Sequence, residues 1–492
     1  MLTLEMMPPL MFGGLIVFML IGFPVAFSLA AVGLFFGVIS IEYGFFTTAY
    51  LGALPFRIFG IVSNDLLLAI PFFTFMGALL ERCGLAEDLL EGTGQLFGSV
   101  PGGLAYAVII VGAILGAITG TVAASVIAMG MISLPIMIRY GYDMKLATGV
   151  IAASGTITQL IPPSLVLVIL ADQLGRSVGD MYKGAIGPSL LQVAIFLLFI
   201  FFMAKVFPKT MPPLPPEART LSGWRLIGRV ALGMIPSVVL IFLVLGTIFM
   251  GLATPTEAGA LGVIGAMVLA ALHRRLTWSL VRQSMSTTMR ITAMVTFILF
   301  GSTVFSLVFQ GVNGGVWIEH LLSHLPGGVV GFLIFVNIFV FFLAFFLDFF
   351  EIAFIIIPLL APVASKMGID LIWFGVLLCV NMQTSFMHPP FGFALFYLRG
   401  IAPASVKSRD IYLGAIPWVG LQLVLVAVVI AWPEAVTYWL DKGPLVDPSK
   451  IEIKLINPFG NQGDSPASAP NFGTGPNFGA PAPNFGEPPK SN

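Results

Sequence analysis

Long apolar runs dominate this chain, and two of them occupy matching places in its halves. Residues 104–138 and 328–365 are each apolar throughout except for polar residues near the middle. As single helices at 1.5 Å per residue each would measure about 50 Å, against a hydrocarbon core of about 30 Å. The pattern therefore predicts two helices joined by a turn in each run. The first turn falls at Thr119-Gly120-Thr121 and the second near Asp348. Two other apolar runs, 146–170 and 371–398, carry the prolines Pro162-Pro163 and Pro389-Pro390 near their middles. Proline removes a backbone donor and breaks a helix, so each reads as two short helices. Unbroken spans are predicted at 190–204, 230–250, 258–272, 291–312 and 411–432, with amphipathic segments near 50–61 and 277–289.

The halves also match in order. Pro101-Gly102-Gly103 returns as Pro326-Gly327-Gly328, 225 positions on, and Ile161-Pro162-Pro163 as His388-Pro389-Pro390, 227 positions on. Gly184-Ala185-Ile186 returns as Gly414-Ala415-Ile416 after 230 positions, and Pro24 as Pro255 after 231. Ordered matches with a slowly drifting offset indicate duplication with small insertions. Basic residues favour the cytoplasmic side. Lys205, Lys209, Arg219, Arg225 and Arg229 against Glu217 alone place the central loop there. Tracing the spans outward from that loop opens the first hairpin to the cytoplasm and the second to the outside. The fold class that follows is an all-α polytopic membrane protein built from two inverted repeats. Each repeat holds a helical hairpin and a Pro-Pro-broken helix. Residues 1–208 form the first repeat, with its hairpin at about 100–140 and broken helix at 145–171. Residues 209–229 are a cytoplasmic linker. Residues 230–434 form the second repeat, with its hairpin at about 326–366 and broken helix at 371–398. From 435 to 492 the chain turns polar and rich in proline and glycine, with Pro-Asn-Phe-Gly at 470–473, 476–479 and 483–486. Such a segment cannot bury enough apolar surface to fold.

Composition narrows the class. At 58% hydrophobic and 9% charged residues, with a mean hydropathy of +1.01, the 492-residue chain lies outside the soluble range and has room for roughly ten to twelve spans. A formal net charge of zero implies no bulk attraction to nucleic acid; lipid is the expected surroundings. Cys83 and Cys379 suggest neither a disulfide framework nor a metal site, and there is no HExxH and no GxxxxGK[ST] loop. An enzyme is not indicated. The first nine residues carry Glu5 and no basic residue, unlike a cleaved signal peptide, so the first helix is expected to stay as a span.

Polar groups at membrane depth carry the chemistry. Thr119, Gly120, Thr121 and Ser125 offer neutral oxygens and a flexible backbone to a hard cation such as Na⁺, although small residues also serve helix packing in any membrane bundle. Asp348 and Glu351 are sharper. An ionised Asp at the bilayer centre costs about 2.5–3.5 kcal/mol even on a lenient scale. A bound cation, a proton or a water-filled cavity relieves that cost; a protonated acid bonded to a neighbouring helix is the bland alternative. Before the breaks stand Thr156, Thr158, Gln159 and Ser164 around Pro162-Pro163, and Gln383, Thr384, Ser385 and His388 before Pro389-Pro390. Carbonyls freed by proline can bind cations, and the helix resuming beyond the break points a partly positive end at it, suited to a carboxylate. His388 suits either titration near neutrality and donation to substrate or a structural role.

These motifs bring a resemblance. Gly116-Ala-Ile-Thr-Gly-Thr-Val-Ala-Ala-Ser125, Arg139-Tyr-Gly-Tyr-Asp143, Leu160-Ile-Pro-Pro-Ser164 and Gln383-Thr-Ser-Phe-Met-His-Pro-Pro-Phe-Gly-Phe-Ala-Leu-Phe-Tyr-Leu-Arg-Gly400 resemble the large membrane subunit (DctM family) of tripartite ATP-independent periplasmic (TRAP) transporters. The resemblance covers about residues 1–434. It implies re-entrant hairpins, an elevator-type moving domain in a bacterial inner membrane, and Na⁺-coupled uptake of small organic acids. It also implies a small four-helix membrane subunit and a periplasmic substrate-binding protein as partners. The family's ion positions fall on Thr119, Gly120, Thr121, Ser125, Asp348, Gln383 and Thr384. The substrate is expected at Thr156, Thr158, Gln159, Pro162, Pro163, Ser164, Glu351, Ser385, His388, Pro389 and Pro390, with Na⁺ as coupling ion and no other cofactor. His388 stands where the family has threonine, and the Phe-rich second hairpin with Glu351 is a further departure. The rival readings are a stand-alone di- or tricarboxylate symporter, an intramembrane enzyme using Asp348, Glu351 and His388, and a structural subunit of a respiratory complex.

Overall fold

The computed structural model describes residues 3–219, 223–323, 325–345, 347–390 and 392–440. The polar tail from 441 and residues 220–222 of the expected linker lie outside the described residues. Among the described residues every regular element is helical. Helices α1 (Met7–Ile21) and α2 (Val25–Glu42) are parted by Gly22, at φ 90°, and Pro24. Next come α3 (Thr48–Leu51), α4 (Leu54–Val62), α5 (Asp65–Arg82) and α6 (Leu85–Leu96). The first hairpin is α7 (Gly103–Thr119) and α8 (Val122–Arg139). Helix α9 (Met144–Thr156), a 3-10 turn at Ile157–Gln159, α10 (Leu165–Gln173) and α11 (Val178–Val206) complete the half.

The second half runs α12 (Gly223–Phe249), α13 (Pro255–Leu272), α14 (Trp278–Gly311) and α15 (Gly314–Ser323). Its hairpin is α16 (Gly328–Leu343), then α17 (Phe349–Glu351), a π-helical stretch Ile352–Ile356 and α18 (Ile357–Lys366). Helix α19 (Leu371–Met382), a 3-10 turn at Gln383–Phe386, α20 (Phe393–Ile401), α21 (Ser408–Ala431) and α22 (Glu434–Thr437) follow. The order hairpin, broken helix, long helix thus occurs twice.

Among the described residues eight helical segments, counting Phe349–Lys366 as one, are long and apolar enough to cross a membrane, and the bent pair Thr48–Val62 and Asp65–Arg82 makes nine. The hairpin's first arms have 17 and 16 residues, so they reach only about 24–26 Å, short of a full crossing. Apolar Phe242, Leu232, Leu252 and Phe56 are exposed, a surface that lipid would cover.

Two expectations change. The amphipathic segment at 277–289 and the span at 291–312 are one 34-residue helix, because no glycine or proline interrupts the chain before Gly301. The 209–229 linker is also shorter than expected, and its described part is hydrogen-bonded in place. Met211 O accepts from Gly102 N (2.9 Å), Thr210 O from Asp143 N (2.9 Å), and Leu214 N donates to Gly98 O (2.8 Å), pinning the segment across the base of the first hairpin. Helix α12 begins within the expected linker, at Gly223.

Candidate functional site

The first hairpin turns at a single residue. Gly120 adopts φ 62°, the left-handed region open to glycine, and its N–H donates to Gly116 O at 3.3 Å. Thr121 is extended and caps α8 by position alone, its side chain making no capping bond. Of Thr119 only the backbone is described. Ser125 is buried one turn into α8. The C-terminal carbonyls of α7 and the N-terminal amides of α8 therefore meet around Gly120, leaving ends that ions and polar groups can use.

The hairpin lies tightly on the broken helix behind it. A Cβ on Gly112 would sit 2.6 Å from Ser154 Cβ, and one on Gly116 2.9 Å from Thr158 Cα. On the other arm, Val126 Cγ2 and backbone close over Gly155. Small residues let the backbones approach this closely.

The second turn is built differently. Asp348 is the N-cap of α17: its Oδ1 accepts from Glu351 N at 3.1 Å, while Glu351 Oε2 accepts from Asp348 N at 3.0 Å. This reciprocal capping box explains why two carboxylates stand three residues apart at the turn. Both are half-buried, and no ion pair to either occurs among the described residues. The π-helical stretch that follows ends just before Pro358, whose ring cannot continue the regular hydrogen-bond ladder.

Both broken helices end alike. Each passes through a 3-10 turn into a cis Pro-Pro bond, at Pro162-Pro163 and at Pro389-Pro390. The hydroxyls before them are buried and donate backward: Thr156 to Ala153 O (3.0 Å), Thr158 to Gly155 O (2.8 Å), Thr384 to Asn381 O (2.7 Å) and Ser385 to Met382 O (2.7 Å). With its one proton committed, each hydroxyl presents only lone pairs to a ligand. That favours a cation over a carboxylate. Ser164 is spent otherwise: it donates to Gln159 O at 2.5 Å and accepts from Val166 N at 3.2 Å, capping α10. Ser189 Oγ lies 3.0 Å from Leu160 O but closer, at 2.6 Å, to Ala185 O, so of the carbonyls exposed by the first break that of Gln159 is already bonded within the protein.

Donors for an anion lie at the second break. Helix α20 starts at Phe393, and its N-cap, Gly392, has no side chain to cap it. His388 is buried, and among the described residues neither ring nitrogen makes a well-formed hydrogen bond, the Ala344 backbone being a polar group beside the ring. Its ring stacks on Phe345 (4.1 Å between centroids, 20°) and meets Phe341 edge-on (4.5 Å), both from the second hairpin. The departure at 388 and the Phe-rich hairpin are therefore one structural feature. Asn381 Nδ2 makes a second tie to this hairpin, donating to Asn337 O at 2.7 Å.

The structure brings Thr156 and Gln383 together through two residues that sequence reasoning missed, Gln192 of α11 and Gln422 of α21. A signal existed, since each is a lone amide eight positions beyond a Gly-Ala-Ile motif. Gln159 meets α19 through its carbonyl, 3.6 Å from Cys379 Sγ. No hydrogen bond or ion pair among the described residues joins Gly120 or Thr121 to Asp348 or Glu351.

Comparison with known proteins gives this arrangement a context. The family described as tripartite ATP-independent periplasmic transporter, DctM component, matches residues 12–435. This chain belongs to the DctM family. The C4-dicarboxylate TRAP transporter large permease protein DctM of Pseudomonas aeruginosa is 30% identical over 394 residues, covering 79% of this chain and 90% of that protein. The sialic acid TRAP transporter large permease protein SiaM of Vibrio cholerae is 26% identical over 415 residues, covering 84% and 93%. The solved YdaH transporter of Alcanivorax borkumensis superposes with a TM-score of 0.58 at 15% identity, over 77% of this chain and 87% of that one, which shows a shared fold. Together with its apolar helices, membership makes this DctM-family chain a multi-pass inner-membrane transporter permease.

Proposed function

We propose that this DctM-family protein is the large permease subunit of a complete TRAP system and takes up a small organic acid anion coupled to Na⁺. A small four-helix membrane subunit and a periplasmic binding protein are its partners. The observation that carries the reading is the set of buried hydroxyls before both breaks whose protons are already given to the backbone, beside two hairpin turns at helix ends. In this reading Na⁺ draws on the Gly120 turn with Thr119, Thr121 and Ser125, on Asp348, and on the oxygens near Gln383 and Thr384. The hydrogen-bond polarity adds Thr156, Thr158 and Ser385 to the ion side. A carboxylate is left with His388 and the uncapped start of α20.

Coupling has an energetic reason. An anion moving inward opposes the membrane potential by about 2.3 kcal/mol per charge per 100 mV, and two co-transported Na⁺ with a monoanion reverse that sign. Alternating access in this reading is an elevator movement in which residues 66–80, both hairpins, both broken helices and the helices α11 and α21 bonded to them shift against the remaining scaffold, with the halves inverted in the membrane. C4-dicarboxylates, named for the Pseudomonas relative, and sialic acid, named for the Vibrio one, support a small organic acid anion as the substrate class.

The test is uptake of labelled small carboxylates by proteoliposomes. Purified protein together with the small subunit and binding protein is expected to accumulate substrate, and omission of either partner to abolish accumulation. Full uptake by this chain alone would instead make it a stand-alone symporter.

A further inference from the structure

Gln192 and Gln422 lie in otherwise apolar stretches of α11 and α21 and are fully buried, at 1% and 0% exposure. They stand 230 positions apart, as do the Gly-Ala-Ile motifs eight residues before each. Thr156 and Gln383 bear a similar relation. Each precedes the first proline of its pair by six residues, and they are 227 positions apart, as are the prolines.

The hydrogen bonds cross between the halves. Gln192 Nε2 donates to Gln383 Oε1 at 2.6 Å, and Gln422 Nε2 donates to Thr156 Oγ1 at 3.2 Å. Exchanging each residue for its counterpart in the other half turns one bond into the other. The same exchange relates two close approaches: a Cβ on Gly414 would run into the Lys145 carbonyl, and one on Gly184 would lie 3.0 Å from Ile372 Cγ2. Reciprocal contacts of this kind are what a two-fold relation imposes. The two bonds also join at the centre, where Gln422 Nε2 lies 3.4 Å from Gln383 Oε1.

Chemistry fixes the direction of the Gln422 bond. Thr156 Oγ1 gives its proton to Ala153 O, so toward Gln422 it can only accept. The arrangement is costly, because among the described residues Gln192 Oε1, Gln422 Oε1 and Gln383 Nε2 have no partner, and a half-satisfied buried amide is penalised where leucine would not be. Packing alone does not call for glutamine at both places.

We propose that Gln192 and Gln422 are positioning residues that form one reciprocal brace. Each ties the last long helix of its half to the broken helix of the other, so Thr156 and Gln383 are held in register and occupancy at one break is felt at the other. This rests on the Na⁺-coupled reading above. In reconstituted complexes, Gln192→Met and Gln422→Met are each expected to weaken apparent Na⁺ affinity about tenfold, within the usual range of coupling between sites, and to lower the Na⁺ Hill coefficient. The double variant is expected to be little worse than either single one, because either change opens the same brace. Losses that follow only the amount of folded protein, with Na⁺ dependence unchanged, would overturn the proposal; so would fully additive losses. Should wild-type uptake ignore Na⁺, the coupling reading has failed separately. The brace is then read from thermal midpoints in detergent, where the double variant is expected to shift less than the two single shifts combined, and additive shifts count against it.

Discussion

Asp348→Asn is expected to cut Na⁺-driven uptake by about 100-fold while leaving the fold in place. Asparagine caps a helix as well as aspartate does, so its Oδ1 can still accept from Glu351 N and the turn between α16 and α17 keeps its shape. What disappears is the negative charge. In the proposed reading Asp348 sits at membrane depth, where holding a carboxylate costs about 2.5–3.5 kcal/mol, and a bound cation that offsets the cost loses comparable binding energy when the charge goes. At about 1.4 kcal/mol per factor of ten, that corresponds to roughly two orders of magnitude. The check is initial uptake rate against Na⁺ concentration, with a thermal midpoint measured on the same preparation. An asparagine variant with wild-type Na⁺ dependence would remove Asp348 from the ion site and leave it a helix cap.

The second large effect is expected at Gly155. A side chain there must displace Val126, whose backbone nitrogen lies 3.1 Å from the position a Cβ would take. Gly155→Leu therefore drives the second arm of the first hairpin away from the broken helix that carries Thr156 and Thr158. Overpacking costs typically about 1–3 kcal/mol and sometimes more. Uptake is expected to fall below detection and the thermal midpoint to drop by several degrees. Gly246 in α12 supplies the contrast, because nothing stands within 4 Å of a Cβ there. Gly246→Leu should leave both quantities near wild type. Equal behaviour of the two variants would mean that close hairpin packing is unimportant.

The hairpin turns and both breaks were legible in the sequence, each for a local reason. Gly120 between two threonines marks a backbone that must leave the helix, and paired prolines end a helix whatever surrounds them. Asp348 was conspicuous because a charge amid phenylalanines needs an explanation. Its partnership with Glu351 was legible too, as an Asp-x-x-Glu spacing that signals a capping box. The polarity of the hydroxyls was not legible, since whether Thr156 donates or accepts depends on which backbone oxygen its rotamer reaches. Gln192 and Gln422 were hidden for another reason. A single amide in a long apolar helix carries no local pattern; only its shared place eight residues after the repeated Gly-Ala-Ile marks it, and its partner appears when the two halves are folded against each other. Likewise, the stacking of His388 on Phe345 and Phe341 joins segments more than forty residues apart. The continuous α14 was divided in the sequence reading because the change from amphipathic to apolar pattern resembles a boundary, yet no stop signal accompanies it.

Co-transport of Na⁺ through sites shared by the hairpin turns and the Pro-Pro breaks is the claim on which the account stands. Entry of radioactive sodium into proteoliposomes holding the complete complex, at zero membrane potential, tests it most directly. Addition of a transported carboxylate with its binding protein is expected to stimulate sodium entry in wild type and to have no such effect in Asp348→Asn. Carboxylate uptake that proceeds with no accompanying sodium entry, or at full rate in choline medium, would contradict it.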